Sequence, residues 1–191
     1  DRSRARYRAF VKKTMEYLTY KLRKTFPDID IYPVIGNNDS YTGDYSVVPG
    51  GAFLKDTSNM WSSLILNKSN KESFHHTYPH AGYYIVTIPH QPHHKVIVLN
   101  TVLFAENAQA KPEIKAADDQ LLWLHDELLK MKGSQDKALI AFHIPASISM
   151  FGGVKTQFAA KEFWQPLYIH RFENELKEFA PNIISILPAH I

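Results

Sequence analysis

The chain has 191 residues, of which 45% are hydrophobic and 13% aromatic, and its formal net charge is +3. This composition indicates a globular protein large enough for one domain with a sizeable core, and it excludes an intrinsically disordered polypeptide. The absence of Cys excludes a disulfide framework and thiolate metal sites within these residues. No window contains the roughly 18 uninterrupted apolar residues that a membrane span needs.

The first 25 residues are strongly basic, with nine Lys and Arg against Asp1 and Glu16. Apolar residues recur there at helical spacing, at positions Tyr7, Val11, Met15, Leu18 and Leu22. This pattern predicts an amphipathic helix with a solvated basic face. A basic helix can also bind nucleic acid or anionic lipid. The solvated face is the simpler interpretation, and we expect no nucleic-acid partner.

Five apolar runs rich in Ile and Val are predicted as strands. They span residues 29–35, 83–88, 95–101, 138–142 and 183–187. The second and third runs are separated by a short segment rich in His and Pro, which predicts a hairpin or a short loop. The stretch 40–80 is polar, aromatic and long for a connection, and long ordered loops in compact domains are often functional.

Two helices are predicted between the later strands. The first has Asp118 or Asp119 as its predicted N-cap, and its apolar face is formed by Leu121, Leu124 and Leu128. The second ends before Pro181, and its apolar stripe is formed by Tyr168, Phe172, Leu176 and Phe179. Helices that alternate with buried strands predict an α/β fold.

Polar residues follow three of the predicted strands. Asn37, within the turn 36–39, follows the first strand, His143 follows the fourth, and His190 follows the fifth. Ligands gather outside the carboxyl ends of strands in open α/β sheets. Imidazole suits ions of the Zn, Fe or Mn type and a carboxamide oxygen is a neutral hard ligand, so these three side chains are candidate ligands of one cation. The alternative is an ordinary turn rich in Asn and Asp, with His side chains that are simply hydrogen-bonded.

These motifs resemble the calcineurin-like metallophosphoesterases. GNND at 36–39, FHIP at 142–145 and PAHI at 188–191 match, in order, the last three metal motifs of that family. VLNT at 98–101 and QLLWLHDEL at 120–128 look like the acid sphingomyelinase-like branch, and GNND is similar to the variant in endopolyphosphatase-like relatives. The resemblance extends from about residue 29 to the last residue.

The resemblance implies an α/β fold of the metallophosphoesterase type, a β-sandwich flanked by helices, which is incomplete in this chain. Residues 1–191 are expected to form the larger, C-terminal part of a single domain, beginning in the helix before GNND and ending within the last metal motif. The family's Asp-x-His and Gly-Asp motifs are expected upstream, and a further His is expected next.

The family's activity is hydrolysis of a phosphodiester or phosphomonoester by a hydroxide activated between two metal ions. The resemblance implies two divalent or trivalent ions of the Zn, Fe or Mn type, with Asn37, His143 and His190 around one of them. The resemblance also implies that Asn38 and Asp39 occupy catalytic positions, and Asp39 is expected to orient a ligand. A nucleotide, a phospholipid head group or polyphosphate is the implied substrate. A secreted, periplasmic or vacuolar/lysosomal-type compartment is implied as well.

Two positions depart from the family pattern. Asn38 stands where the family has His, and Ala189 stands where it has Gly. A carboxamide donates a hydrogen bond but has no useful pKa, so a proton for the leaving group would have to come from another residue.

Candidate substrate-contacting residues are expected in the stretch 40–80. They are Tyr41, His75, His76 and His80. A solvent-exposed His cluster and a packed Tyr remain the alternatives. Tyr45 is equally compatible with a pocket or with packing. A second function class, a degenerate binding module that retains the fold without catalysis, also remains open.

Overall fold

The computed structural model describes residues 2–149 and 161–190. Its helices are α1 (Arg2–Thr25), α2 (Ala52–Trp61), α3 (Lys68–Ala81), α4 (Lys111–Met131) and α5 (Pro166–Glu178). Its strands are β1 (Tyr84–Thr87), β2 (His94–Val98), β3 (Lys137–Ala141), β4 (Ile148–Ser149), β5 (Lys161–Glu162) and β6 (Ile183–Leu187). The predicted α/β class is confirmed. Among the described residues, no helix is both long and apolar enough to cross a membrane.

The main sheet is mixed, with the strand order β1-β2-β3-β6. β1 and β2 form the predicted antiparallel hairpin, whereas β2, β3 and β6 run parallel. Val98 pairs with Ala141, and Ala141 pairs with Leu187. The carboxyl ends of the three parallel strands therefore meet at one edge of the sheet, and the residues that follow them are brought together there.

A buried polar clamp fixes the carboxyl end of β2. The side chain of Gln120, on α4, accepts a hydrogen bond from the backbone N–H of Asn100 at 2.7 Å and donates one to its carbonyl at 3.2 Å. Thr101 Oγ1 accepts from the N–H of Ile144 at 2.9 Å, just beyond β3. Both Gln120 and Thr101 are fully buried. The VLNT and QLLWL sequences thus hold two neighbouring strand ends in register.

The predicted strand at 29–35 is wrong, because none of these residues belongs to a strand in the described structure. Pro33 has no N–H to donate to a ladder. The segment is instead held by single contacts: the N–H of Ile31 donates to the carbonyl of Leu64 at 3.0 Å, and the hydroxyl of Tyr84 donates to the carbonyl of Pro33 at 2.8 Å. It still delivers the buried Ile35 and the following turn to the edge of the sheet.

The prediction of a long connection at 40–80 is also wrong, because α2 and α3 occupy most of it. Similarly, α4 begins at Lys111, ahead of the predicted N-caps Asp118 and Asp119, which lie inside the helix. The carboxylate of Glu113 accepts from the N–H of Ala110 at 3.3 Å and closes the first turn. This local bond supplies the cap.

The predicted basic helix is confirmed as α1, but its buried face differs from the predicted stripe. Val11, Met15 and Thr19 are buried, four residues apart, whereas Leu18 and Leu22 are exposed by 47% and 37%. α1 packs against α2 and the short 3₁₀ helix Ser62–Leu64. These neighbours cover only a narrow face of α1.

Replacing Gly82 by Ala is expected to destabilise the fold by about 2–4 kcal/mol. Gly82 ends α3 at a φ of +84°, and a Cβ there would lie 2.5 Å from Cδ1 of Ile35. The substitution therefore adds a steric clash to the cost of a left-handed backbone. Gly133→Ala is the matched control, because Gly133 has a φ of +77° with nothing within 4 Å of an added Cβ. It should cost only about 1 kcal/mol. If urea unfolding shows the same decrease in the free energy of unfolding for both variants, the surrounding side chains relieve the clash at Gly82.

Candidate functional site

The turn at residues 36–39 is held by the Asp39 side chain. Asp39 Oδ2 accepts a hydrogen bond from the backbone N–H of Gly36 at 2.7 Å. A Cβ on Gly36 would lie 3.1 Å from that oxygen and 3.3 Å from Nε2 of His143. Gly36 therefore allows the close approach of the His143 ring to the backbone of the turn.

Asn37 is 6% exposed, and both ends of its carboxamide have partners. Oδ1 lies 3.0 Å from Nε2 of His143, and Nδ2 donates to Oδ1 of Asp44 at 3.2 Å. The backbone carbonyl of Asn37 accepts from the N–H of Tyr45 at 2.9 Å. The loop that follows the turn thus folds back over Asn37 and limits the orientation of its side chain.

The sheet edge brings His143 and His190 together. The carbonyl of His143 accepts hydrogen bonds from the N–H groups of Ala189 and His190 at 3.1 and 2.8 Å. Nδ1 of His190 lies 3.1 Å from Nε2 of His143, and the two half-buried rings are nearly perpendicular, at 83°. On its other side, Nε2 of His190 lies 3.3 Å from the hydroxyl of Tyr45. The structure therefore places Asn37, His143 and His190 in one cluster.

The spacing of this cluster fits a shared cation. Oδ1 of Asn37 and Nδ1 of His190 lie 3.0 and 3.1 Å from Nε2 of His143. Two ligand atoms bound about 2.1 Å from one ion and roughly 90° apart lie about 3.0 Å from each other. Among the described residues, no group of three or more His, Cys, Asp or Glu side chains is arranged to hold a metal. A three-ligand set here therefore depends on the carboxamide of Asn37.

The electrostatics of the cluster favour neutral imidazole. Burial and the neighbouring His190 lower the pKa of His143 below its ordinary value, and the Asp39 carboxylate acts in the opposite direction. A neutral ring keeps a lone pair on one nitrogen, and this is the form that binds a metal.

The two departures from the family pattern differ in their surroundings. Asn38 is exposed, and its side chain makes no hydrogen bond to another described residue. Ala189 is exposed as well and does not have a positive φ, so its position does not require Gly. The Ala189 methyl group is accommodated without strain at the strand end. At position 38, by contrast, the solvent-exposed side chain of the turn is a carboxamide in place of an imidazole.

The structure places Tyr41 away from the cluster. Its hydroxyl donates to Asp56 on α2 at 2.8 Å, and the Arg8 guanidinium lies 4.8 Å from its ring centroid. Burial and the hydrogen bond to Asp56 raise the pKa of Tyr41 well above its ordinary value. Tyr41 thus links the turn to α1 and α2.

The three His candidates of the stretch 40–80 lie on α3, and not in the predicted loop. Nδ1 of His75 lies 3.1 Å from the Ser58 hydroxyl, and the side chains of His76 and His80 are exposed. No contact in the described structure joins any of the three to the cluster of Asn37, His143 and His190. Their predicted role at the substrate gains no support from this placement.

Sequence reasoning missed the contribution of Asp44 and left Tyr45 undecided. Asp44 bonds Asn37, and Tyr45 contacts His190, which lies 145 positions away in the sequence. The only signal in the sequence is a short, polar GDY run after the GNND turn. Its partners become apparent only when the loop is folded.

Comparison with known proteins identifies phosphodiesterases as relatives. No protein-family model matches the chain. A sphingomyelinase phosphodiesterase C of Dictyostelium discoideum is 27% identical over 135 residues, covering 71% of this chain and 29% of the relative. A sphingomyelin phosphodiesterase A of the same organism is 26% identical over 179 residues, 91% of this chain and 27% of the relative. A cyclic GMP-AMP phosphodiesterase of Bos taurus is 24% identical over 129 residues, which cover 67% of this chain and 27% of the relative.

The chain therefore spans less than a third of the length of these curated relatives. Other relatives include an acid sphingomyelinase-like phosphodiesterase of Homo sapiens, at 23% identity. The mixed α/β architecture described above is consistent with a phosphoesterase fold. In sequence, the chain is similar to sphingomyelin phosphodiesterases and acid sphingomyelinase-like phosphodiesterases.

Proposed function

We propose that the full-length protein, meaning the natural polypeptide that contains these residues, is a metallophosphoesterase that hydrolyses a phosphodiester. The observation that carries the proposal is the convergence of three ligand-type atoms, from Asn37, His143 and His190, at the carboxyl edge of the parallel strands. The phosphodiesterase names of the relatives support the reaction class.

Two divalent or trivalent ions of the Zn, Fe or Mn type would supply a hydroxide nucleophile at neutral pH and neutralise charge on the phosphate oxygens. In this proposal, Asn37, His143 and His190 hold one ion. Asp39 keeps the turn in shape through its bond to Gly36. The exposed carboxamide of Asn38 donates a hydrogen bond to an oxygen of the substrate.

The remaining ligands and the second layer of the fold would come from residues outside the described ranges. Within those ranges, β1-β2-β3-β6 is the large sheet, and β4 and β5 form a small pair. We propose that the domain is completed as a β-sandwich of the metallophosphoesterase type. The second metal site would then lie beside the first at the same edge of the sheet.

The proposed substrate class is a phosphodiester, and the names of the relatives suggest two kinds to compare. They are a phospholipid with a phosphodiester head group, as in sphingomyelin, and a cyclic dinucleotide, as in cyclic GMP-AMP. Polyphosphate, which contains phosphoanhydride bonds and is not a phosphodiester, is a third candidate from the family resemblance. A secreted, periplasmic or vacuolar/lysosomal-type compartment is proposed on the basis of the family resemblance.

The test is hydrolysis of bis(4-nitrophenyl) phosphate by the full-length protein before and after removal of metal. Chelation should abolish turnover, and Zn²⁺, Mn²⁺ or Fe²⁺ should restore it, because the attacking hydroxide depends on the metal. Sphingomyelin in micelles, cyclic GMP-AMP and polyphosphate are then compared by kcat/KM. Turnover that persists after metal removal would refute the proposed mechanism.

The second candidate function is a binding module with a degenerate site, and Asn38 is the observation that favours it. The alternative predicts that the full-length protein binds metal and phosphodiester without hydrolysing it. Metal-loaded protein that fails to turn over every ester tested, while binding the substrate, would establish the module and exclude the enzyme.

A further inference from the structure

We propose that Asp44 and Tyr45 are positioning residues, which orient the carboxamide of Asn37 and the imidazole of His190 so that their lone pairs face one point. This inference rests on the proposed function only in that a cation is the group expected at that point. Both residues come from the GDY run of the loop that follows GNND.

Asp44 determines which end of the Asn37 carboxamide faces the cluster. The two ends of a carboxamide have nearly the same shape, and a flip exchanges a donor for an acceptor. An ionised carboxylate only accepts hydrogen bonds. Oδ1 of Asp44 lies 3.2 Å from Nδ2 of Asn37, so the Asn37 amide donates its hydrogen bond to Asp44. The oxygen at the other end of the carboxamide therefore faces His143, 3.0 Å from its Nε2.

Tyr45 acts on His190 in the corresponding way. Its hydroxyl lies 3.3 Å from Nε2 of His190, while Nδ1 of the same ring lies 3.1 Å from His143. If Nε2–H donates to the Tyr45 oxygen, Nδ1 carries a lone pair that points at Nε2 of His143. A metal-ligating His is commonly fixed in this way by a hydrogen bond on its other nitrogen.

The backbone at Tyr45 supports this assignment. Tyr45 has a φ of +53°, a left-handed conformation that is uncommon for a bulky side chain. Its N–H donates to the carbonyl of Asn37 at 2.9 Å, which fastens the loop to the turn. Such strained residues concentrate at functional sites, where the surrounding structure maintains them. In this backbone conformation, the hydroxyl of Tyr45 lies 3.3 Å from Nε2 of His190.

Together, these contacts leave one proton inside the cluster. A hydrogen on Nε2 of His143 satisfies both Oδ1 of Asn37 and Nδ1 of His190, each about one hydrogen bond away. A cation in place of this proton would require the neutral His143 ring to carry its hydrogen on Nδ1, so that Nε2 has a lone pair. Oδ1 of Asn37 and Nδ1 of His190 already face Nε2 of His143. The short polar residues after Gly36 therefore serve two purposes: the turn supplies the ligand Asn37, and the loop fixes the orientation of the ligands.

The experiment compares Asp44→Asn and Tyr45→Phe with the wild type in the full-length protein. Asn at position 44 can face Asn37 with either end, so the amide orientation is no longer fixed. Phe at position 45 removes only the hydroxyl. The first readout is Mn²⁺ and Zn²⁺ affinity by calorimetry, which should fall on the order of 10- to 100-fold in each variant.

The second readout uses metal-free protein and is independent of activity. The ¹⁵N chemical shifts of His190 report its tautomer. Wild type should show the Nε2–H form, and Tyr45→Phe should show a mixture. Asp126→Asn and Tyr17→Phe, at exposed positions of α4 and α1, are the matched controls and should change neither readout.

Wild-type affinity in both variants, together with an unchanged His190 tautomer in Tyr45→Phe, would overturn the positioning roles. Failure of the proposed function looks different. In that case the wild type would show the predicted tautomer, and Tyr45→Phe the mixture, without metal-dependent turnover. Restoration of tight binding in Asp44→Glu, which keeps a carboxylate, would identify the acceptor character of residue 44 as the cause.

Discussion

Replacing His143 by Ala in the full-length protein is expected to lower kcat/KM for bis(4-nitrophenyl) phosphate by at least on the order of 10³. His143 lies at the centre of the cluster, because its Nε2 is the atom that both Asn37 and His190 contact. Without this ring, two ligand atoms remain with no common neighbour. Loss of a metal ion, and with it the activated hydroxide, should follow.

The fold should survive the change. His143 is half-buried, and its backbone, which bonds the N–H groups of Ala189 and His190, is unchanged in the variant. The melting temperature should therefore fall by only a few degrees, as for a surface or partly buried truncation. Metal content by mass spectrometry and the melting temperature should be measured on the same preparation, because together they separate loss of the ion from loss of the fold.

His170→Ala provides the control. His170 is exposed on α5 and has no contact with the cluster in the described structure, so metal content and turnover should match wild type. If His143→Ala retains both its metal and its turnover, His143 is not a ligand, and the metal site must be sought elsewhere. A parallel loss in His170→Ala would indicate that general damage to the protein, and not a missing ligand, explains the result.

The sequence predicted the part of the site that depends on strand ends. The runs before His143 and His190 are short, apolar and rich in Ile, Leu and Ala, and both form strands with nearly the predicted bounds. Parallel pairing then aligns their carboxyl ends, so a one-dimensional pattern was enough to predict proximity in space. The segment before Asn37 was misassigned because its apolar residues suggested a strand, whereas Pro33 lacks a ladder donor.

The helices in the stretch 40–80 were missed because polar side chains occupy their buried faces. Thr57 of α2 is fully buried, with its hydroxyl 2.7 Å from the carbonyl of Phe53 and 2.8 Å from the hydroxyl of Tyr78. Asn70 of α3 is buried and donates to the carbonyl of Thr87 at 2.8 Å. Such residues interrupt the apolar period that predicts a helix, and the bonds that compensate for their burial form only in the tertiary structure.

The roles of Asp44 and Tyr45 could not be predicted for a related reason. Each depends on a partner that local spacing does not specify, since Asn37 and Asp44 meet only when the loop turns back, and Tyr45 meets His190 across the sheet edge. A positive φ at Tyr45 is also invisible in the sequence, because Gly or Asn is the usual residue there. The proximity of Asn37, His143 and His190 could be predicted from the motifs, but the orientation of their side chains could not.

Replacing Asn38 by His is expected to accelerate hydrolysis of alkyl phosphodiesters more than hydrolysis of nitrophenyl esters. A carboxamide donates a hydrogen bond but cannot act as a general acid, whereas His titrates near neutral pH. A poor leaving group such as an alkoxide needs a proton, and general acid catalysis is worth on the order of 10²–10⁴ in rate. A nitrophenolate is a stable anion, so a general acid should accelerate its departure only slightly.

The surroundings of Asn38 allow it to be replaced without disturbing its neighbours. Asn38 is exposed in the turn, and no described residue hydrogen-bonds its side chain, so His should fit without disturbing Asn37 or Asp39. kcat/KM for both ester types is measured across pH in wild type and Asn38→His, with Asn38→Gln as the matched control. Gln keeps the carboxamide and should add no dependence on pH. Asn38→His should add an inflection near the pKa of His, with the protonated form active for the alkyl ester.

The ratio of the two effects decides the role of position 38. A large gain for the alkyl ester, a small gain for the nitrophenyl ester and a new inflection would place residue 38 at the leaving group. Equal effects on both esters without a new inflection would show that residue 38 does not act on the leaving oxygen. Equal gains in Asn38→His and Asn38→Gln would assign the effect to side-chain size. If residue 38 does lie at the leaving group, the carboxamide of the natural protein stabilises the bound phosphodiester by hydrogen bonding alone. Esters with good leaving groups would then be its better substrates.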